Sequence, residues 1–310
     1  MSQTGVPLLV GPTASGKTDL SLRIADRIPC EIVCADSRQI YRHMDIGTAK
    51  PTPEQRSAVA HHCIDILDPD ADFSAGQYGT LACRIVHEIH ARKRIPLVVG
   101  GSGLYIRALT DGIFTGNFKD QGLRERLNRE ADEVGTEALH ERLRNLDLSA
   151  AEKIHSNDRK RTIRALEVIE LSGQPLSRLQ KELTKPADFP SVFFGLNWPR
   201  SMLYRRIEER VDRMISDGLV DEVHQLHFMG YSQKCNSMNS VGYKEISQYI
   251  EGHTTLEEAV ALIKKNTRRF AKRQMTWFRS DRRIQWIDIQ STDDLDVAVD
   301  RIVGVVCNQG

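Results

Sequence analysis

The sequence predicts an α/β fold, a parallel sheet core with helices on both faces and a helical insertion. Three observations carry this. The apolar run Val6-Pro7-Leu8-Leu9-Val10 leads straight into Gly11-Pro12-Thr13-Ala14-Ser15-Gly16-Lys17-Thr18. Further β-type runs recur along the chain with helical patterns between most of them. A long central stretch, by contrast, shows no strand pattern at all.

Residues 8–10 form the first expected strand, and 11–18 fit the phosphate-binding pattern G-x-x-x-x-G-K-[ST]. Glycines there let backbone N–H groups turn inward around phosphate oxygens. A helix with apolar residues at 20, 24 and 25 follows and aims its positive end at the same place. Lys17 adds a point charge, and the Thr18 hydroxyl can hold Mg²⁺. The second strand, 31–35, ends at Asp36-Ser37, and the third, 95–99, ends at Gly100-Gly101-Ser102-Gly103. In parallel sheets ligands sit beyond the carboxyl ends of the strands, so these segments converge on one rim.

From about 116 to 190 the pattern is helical, with Leu123, Leu127, Leu139, Leu143, Ile163 and Leu166 at helical spacing and Gly135, Gly173 and Pro175 as punctuation. Strands return at 192–197 and 284–289, and helices are expected over 201–229 and about 256–279. This assigns residues 1–115 and 190–310 to a P-loop NTPase-like core and 116–189 to a helical insertion domain. Residues 200–260 could also belong to the helical part.

Composition sets the class. With 310 residues, 40% hydrophobic and 27% charged, the chain can bury a large core as a soluble globular protein. No apolar run reaches membrane-helix length, and the early first strand leaves no room for a secretory signal. The six cysteines form no C-x-x-C pair and show no ligand-like spacing with histidine. A reduced, cytoplasmic compartment without a zinc site is therefore expected. His61-His62, His87 and His90 lack a metal-like partner set and read as helix-surface or packing residues. Net charge is only +1, but Lys264, Lys265, Arg268, Arg269, Lys272, Arg273, Arg279, Arg282 and Arg283 face a single acid, Asp281, over residues 264–283.

Chemistry on the rim has several readings from residue type alone. Asp36 suits a general base, a water-mediated Mg²⁺ ligand, or a turn-capping Asp. Arg206, Arg210 and Arg213 recur at helical spacing on one face, which by residue type alone reads as a solvated face paired with Glu208, Glu209 and Asp212. Lys265, Arg268, Lys272, Thr276 and Arg279 form one helix face, flanked by Lys264, Arg269 and Arg273 and backed by Phe270 and Trp277. Such a stripe suits an RNA backbone or is simply a charged surface.

The phosphate loop, Asp36-Ser37-Arg38-Gln39-Ile40-Tyr41-Arg42, the run 44–51, Gly100 to Leu109, Ile154-His155-Ser156-Asn157-Asp158, 161–168, Val241-Gly242-Tyr243 and 271–279 together resemble tRNA dimethylallyltransferases, also called tRNA isopentenyltransferases. The resemblance covers nearly the whole chain. No zinc finger follows the C-terminal helix, as in bacterial members. It implies transfer of a dimethylallyl group from dimethylallyl diphosphate to the exocyclic N6 amine of the adenosine 3′-adjacent to the anticodon of tRNA, with Mg²⁺ and release of diphosphate. It assigns the base to Asp36, diphosphate binding to residues 11–18, with Lys17, Thr18 and Arg210, and substrate contacts to Thr13 and Ser102. Ser37, Arg38 and Gln39 are implied to cradle the adenosine, Gln39 reading its edge. Contacts to the tRNA anticodon stem-loop are implied for Asp36, Ser102, Arg124, Lys160, Arg161, Thr162, Ile163, Arg164, Val241, Gly242, Tyr243, Lys244, Lys272, Arg273, Gln274, Thr276 and Arg279.

The chain departs from the family pattern at Ser102 (usually Thr), Lys160 (often Gln), Ser156 (often Pro) and His43 (usually Gly). Asn239-Ser240 and Lys244 flank Val-Gly-Tyr where Arg is common, so phosphate contact through Lys244 is the expectation there. A monomer is expected. The phosphate loop is shared with ATP users, so a small-molecule or nucleoside kinase is the rival enzyme, and a nucleotide-switched RNA-binding module the rival without catalysis.

Overall fold

The computed structural model describes residues 5–114, 116 and 118–308. The chain divides into two compact units, one running to Thr110 and resuming at Ala187, the other spanning Asp111–Pro186. The division drawn from sequence at 115/116 falls beside Thr115, which lies outside the described residues. The helices between 200 and 260 belong to the first unit.

In chain order the first unit holds β1 (Val6–Val10), α1 (Lys17–Ala25), β2 (Cys30–Cys34), α2 (Pro53–Ala58), β3 (His61–His62), α3 (Ala75–Ala91), β4 (Ile95–Gly100) and α4 (Gly103–Thr110). The second unit is helical: α5 (Gln121–Val134), α6 (Thr136–Leu146), α7 (Leu148–Ala151), α8 (Arg159–Ser172) and α9 (Leu176–Leu183). The first unit resumes with β5 (Ser191–Asn197), α10 (Arg200–Ser216), α11 (Leu219–Phe228), a 3₁₀ turn at Ser237–Asn239, α12 (Tyr243–Ile250), α13 (Leu256–Arg279), β6 (Ile284–Asp288) and α14 (Asp294–Cys307). Among the described residues, no helix is long and apolar enough to cross a membrane.

The six strands are parallel in the order β3-β2-β4-β1-β5-β6. β1 is central and buried throughout. It nonetheless contains Pro7, which lacks a donor. Val6 N–H is directed to the β5 side, onto Pro190 O at 2.8 Å, so the alternate residue Pro7 turns its nitrogen toward β4. There the paired register starts only at Leu8↔Val98, so no ladder bond is lost.

Leu9 joins Leu20, Ile24, Leu196, Ile207 and Ile302 in one cluster, all fully removed from water. Each such side chain contributes about 1.5–3 kcal/mol. Leu8 and Val10 alternate to the opposite face. α3 packs on β2 and β4 outside that cluster, and Gly79 lets it come so close to α4 that a Cβ would sit 2.6 Å from Ala108 O.

One strand escaped the sequence reading. His61 and His62 form the edge strand β3, not a helix surface. Two residues are too short to show alternation. His62 Nε2 lies 2.7 Å from the Glu31 carboxylate, and His61 Nδ1 lies 2.8 Å from Val59 O.

The second unit packs α5, α6, α7, α8 and α9 around Leu127, Leu139, Leu143, Ile163 and Leu166. A carboxylate sits inside it. Glu167 has no exposed side-chain surface and accepts from Arg124 Nη2 at 3.0 Å, Arg164 Nη1 at 2.7 Å and Asp120 N at 3.0 Å. Burial alone would push its carboxyl up; the bonds from Arg164, Arg124 and Asp120 outweigh that and hold it low.

Glu167→Ala strands two guanidinium groups and is expected to cost about 3–5 kcal/mol. Denaturant unfolding followed by circular dichroism checks this, and a loss under about 1 kcal/mol would show the pairs to be dispensable. Because the folded carboxyl is held low, the stabilisation is present above the unfolded value of about 4.3 and fades as pH falls through the lower folded one.

Candidate active site

The carboxyl ends of β1, β2 and β4 bring three loops together. In the first, Gly16 takes φ 90° and Ala14 φ 62°, both left-handed. That bend leaves the backbone N–H groups of residues 14–18 without an acceptor among the described residues. Unpaired amides at a helix N-terminus form an anion site. Lys17 Nζ folds back meanwhile onto Gly11 O at 3.0 Å, Pro12 O at 2.6 Å and Ser15 Oγ at 3.4 Å.

The loop is braced from outside. Trp198 Nε1 donates to Ser15 O and Arg206 Nε to Ala14 O, each at 2.9 Å. The Arg206 guanidinium also lies 4.4 Å over the Trp198 ring. Gln274, from α13, accepts from Thr13 N and donates to Gly101 O, both at 2.9 Å. Gly101 is required there, since a Cβ would come within 2.4 Å of the Gln274 amide. Gln274 is buried, so it ties two loops together instead of facing RNA as expected.

Asp36 meets its turn-capping reading. Oδ1 accepts from Arg38 N at 2.8 Å and closes a turn, while Oδ2 has no partner among the described residues. Ser102 Oγ accepts from Ser37 N at 2.9 Å and lies 3.2 Å from Ser37 Oγ, so the serine positions the turn. The hydroxyls of Thr13 and Thr18 have no hydrogen-bond partner among the described residues. Electrostatics bind the loops together. Burial, then neighbouring Arg210, lowers the Lys17 ammonium to about 7, partly offset by Asp36. Burial likewise lowers Arg210 to about 10, with Asp36 opposing and Arg213 and Arg206 adding to the fall. Arg210 therefore faces Lys17 and Asp36, and the solvated-face reading does not hold for it. Among the described residues its one hydrogen bond, to Thr48 O, is long at 3.4 Å.

Several residues expected to touch nucleic acid are committed internally. Gln39 is buried; its Nε2 donates to Thr48 O and Ala49 O, each at 3.1 Å, and Oε1 lies 3.2 Å from Cys34 Sγ. No edge-reading group remains on it. Tyr243 is fully buried, with its hydroxyl 2.6 Å from Glu222. Glu222, which sequence reasoning missed, also accepts from Asp45 N, Ile46 N and Gly47 N at 2.8, 2.7 and 3.1 Å. Its only sequence signal was an acid in the first turn of a helix. Trp198 and Arg206 carried no signal for their roles either. Val241 is half-buried, Gly242 buried and Lys244 exposed. In the second unit Thr162 and Ile163 are buried, and Arg124 and Arg164 are held by Glu167, leaving Lys160 and Arg161 as the exposed cations of that group. Arg38 donates to Asn236 O at 3.0 Å.

α13 shows two sides. Ala271, Gln274 and Phe278 are buried, while Lys264 pairs with Asp212 at 2.6 Å and Arg268 pairs with Glu208. Arg268 thus leaves the expected stripe, because α10 offers it a carboxylate. Lys265, Arg269, Lys272, Thr276 and Arg279 make the exposed face, at spacings of four and three. Lys265, Arg269, Lys272, Arg273 and Arg279 have no ion pair among the described residues.

The chain matches the IPP transferase family model over residues 39–281. It is 46% identical over 295 residues to the tRNA dimethylallyltransferase of Geobacter sulfurreducens, covering 94% of each chain. Identity to that of Carboxydothermus hydrogenoformans is 47% over 299 residues, 96% of this chain and 95% of the relative. The tRNA isopentenylpyrophosphate transferase of Bacillus halodurans superposes with a TM-score of 0.73 at 39% identity, covering 99% of this chain and 98% of that one. A eukaryotic dimethylallyltransferase, solved acting on tRNA, gives 0.81 at 26% identity over 96% of this chain and 77% of its own.

A Lys17 amine near 7 makes anion binding pH-dependent. Below pH 7 the ammonium is already present; above it, binding must take up a proton. The dissociation constant of a diphosphate ester is expected to rise by up to about tenfold per pH unit above 7. Calorimetry in buffers of different ionisation heat reads the uptake, and a difference from Lys17→Gln isolates it. Identical proton uptake in both proteins would exclude Lys17.

Proposed function

This chain belongs to the IPP transferase family, and we propose that it transfers a dimethylallyl group from dimethylallyl diphosphate to N6 of the adenosine 3′-adjacent to the anticodon of tRNA, releasing diphosphate. The observation that carries this is the uncommitted oxygen of Asp36 beside Lys17 and Arg210, at the mouth of a loop of unpaired amides.

The allylic C–O bond breaks as the N6–C bond forms, and negative charge gathers on the departing diphosphate. The amides of residues 14–18, the Lys17 ammonium and the Arg210 guanidinium are placed to take that charge. The loop amides among these donors are fixed before substrate arrives, because Trp198, Arg206 and Gln274 hold the loop. The diphosphate also gives Lys17 a reason to release the carbonyls of Gly11 and Pro12. An adenine amine is a weak nucleophile, its lone pair being delocalised into the ring. Asp36 Oδ2 accepts the N6 proton as the bond forms, while Oδ1 stays in its turn. Thr13 and Ser37 hydroxyls lie on the same rim.

Mg²⁺ fits the donors present. The Thr18 hydroxyl has no hydrogen-bond partner among the described residues and, with diphosphate oxygens, would supply hard oxygen donors. Mg²⁺ held there would neutralise leaving-group charge. The exposed face of α13 supports tRNA backbone binding, with Lys160 and Arg161 as further cations on the second unit. ATP is not required by this scheme.

Asp36→Asn keeps an oxygen for the turn but cannot take a proton. It is expected to lower transfer by about 10²–10⁴-fold with tRNA affinity nearly unchanged. Mass analysis of tRNA nucleosides after incubation with dimethylallyl diphosphate reads the product. Unchanged turnover would remove Asp36 as base, and phosphate transfer from labelled ATP with no modified adenosine would make the chain a kinase. Each phosphate contact contributes roughly −0.7 to −0.9 to the salt slope of tRNA affinity. Lys272→Ala with Arg279→Ala should therefore flatten that slope by about 1.5. An unaltered slope would take RNA off this face.

A further inference from the structure

Far along the chain from the phosphate loop, Cys83 and His87 lie one turn apart on α3, and Asp188 lies just before β5. Their ligand atoms, Cys83 Sγ, a His87 ring nitrogen and an Asp188 carboxylate oxygen, all fall within 4.8 Å of one another. We infer that these three residues form a binding site for Zn²⁺ that ties α3 to the segment re-entering the sheet.

Donor chemistry selects the metal. One thiolate, one imidazole and one carboxylate suit borderline-soft Zn²⁺ and not Mg²⁺ or Ca²⁺, which take oxygen ligands. Tetrahedral bonds of 2.0–2.3 Å place donors roughly 3.3–3.6 Å apart. His87 Nε2 already lies 3.1 Å from Asp188 Oδ1, so closing the set needs only side-chain rotation. All three side chains reach solvent, so a water can complete the coordination and the ion has an entry path.

The backbone on both sides is anchored. Ala82, Ile85 and Val86 bury the neighbouring positions of α3. Ala187 N donates to Thr110 O at 3.0 Å, and Phe189 is buried with its ring edge-on to His87 at 5.9 Å. Asp188 is held between these two anchors. His90 continues the same stripe one turn after His87. On binding, Zn²⁺ takes the place of the Cys83 thiol proton, which passes to buffer; no oxidant or reductant enters. This overturns the reading that no cysteine has ligand-like spacing with histidine: Cys83 and His87, four apart, share one helix face, and Asp188, distant along the chain, completes the set.

Metal-free, reduced full-length protein is titrated with Co²⁺ and then with Zn²⁺ against a chromophoric chelator. The expected result is one equivalent of Co²⁺ with a thiolate-to-metal charge-transfer band, displaced by Zn²⁺, and a higher melting temperature in Zn²⁺. Cys83→Ser is expected to lose the band, and Asp188→Asn and His87→Ala to weaken Zn²⁺ at least tenfold. Circular dichroism and metal-free melting verify that each variant folds. Should Cys83→Ser fold poorly, the exposed Asp188→Asn carries the test. A spectrum without thiolate character, or Zn²⁺ affinity unchanged in Cys83→Ser and Asp188→Asn, overturns the site.

Discussion

The structure is organised around a half-buried lysine ammonium in the loop that follows the central strand. Its loop presents amides with no acceptor among the described residues, and a second half-buried cation, Arg210, lies beside it. Desolvation first, and repulsion from Arg210 after it, lower the lysine to about 7. Such an arrangement is unfavourable until an anion arrives. Asp36 offsets part of the repulsion, and the Gly11 and Pro12 carbonyls absorb another part. A polyanionic ligand carries the opposite charge that these compensations supply only in part.

Keeping that loop in its strained path falls to side chains outside it. Trp198 and Arg206 hold it from the β5 side, and Gln274 crosses from α13 to join it to the loop after β4. The same economy runs through the neighbouring loop at 45–49. Glu222 gathers consecutive amides there, and Tyr243 and Gln39 complete the mooring. Unpaired buried polar groups are costly, so the side chains that fix the rim are those most fully hydrogen-bonded internally. This separates them from the groups left open: Asp36 Oδ2, the hydroxyls of Thr13 and Thr18, and the amides of the phosphate loop.

Charge on α13 is divided by the same logic. Cations facing α10 find carboxylates and become part of the packing, while those turned outward stay unpaired. A helix rich in lysine and arginine thus presents a narrower basic face than its composition suggests. In the second unit, Glu167 converts two arginines from candidate ligands of a phosphate backbone into supports of an otherwise apolar bundle.

The chain by itself determined the parallel sheet, the phosphate loop, the helical second unit and the acid at the end of β2. Those features are local: a strand, a glycine turn and a helix start are written in adjacent residues. The two-residue edge strand was invisible because it is shorter than any period. What only tertiary structure decided was the partner of each polar side chain. Nothing near Gln274, Gln39 or Tyr243 in sequence announces that Thr13, Thr48 and Glu222 await them. Arg268 and Arg269 are adjacent and alike, yet one meets Glu208 and the other solvent. Hydrogen bonds and ion pairs form between groups close in space, and closeness in space is settled only once the sheet and its helices have packed.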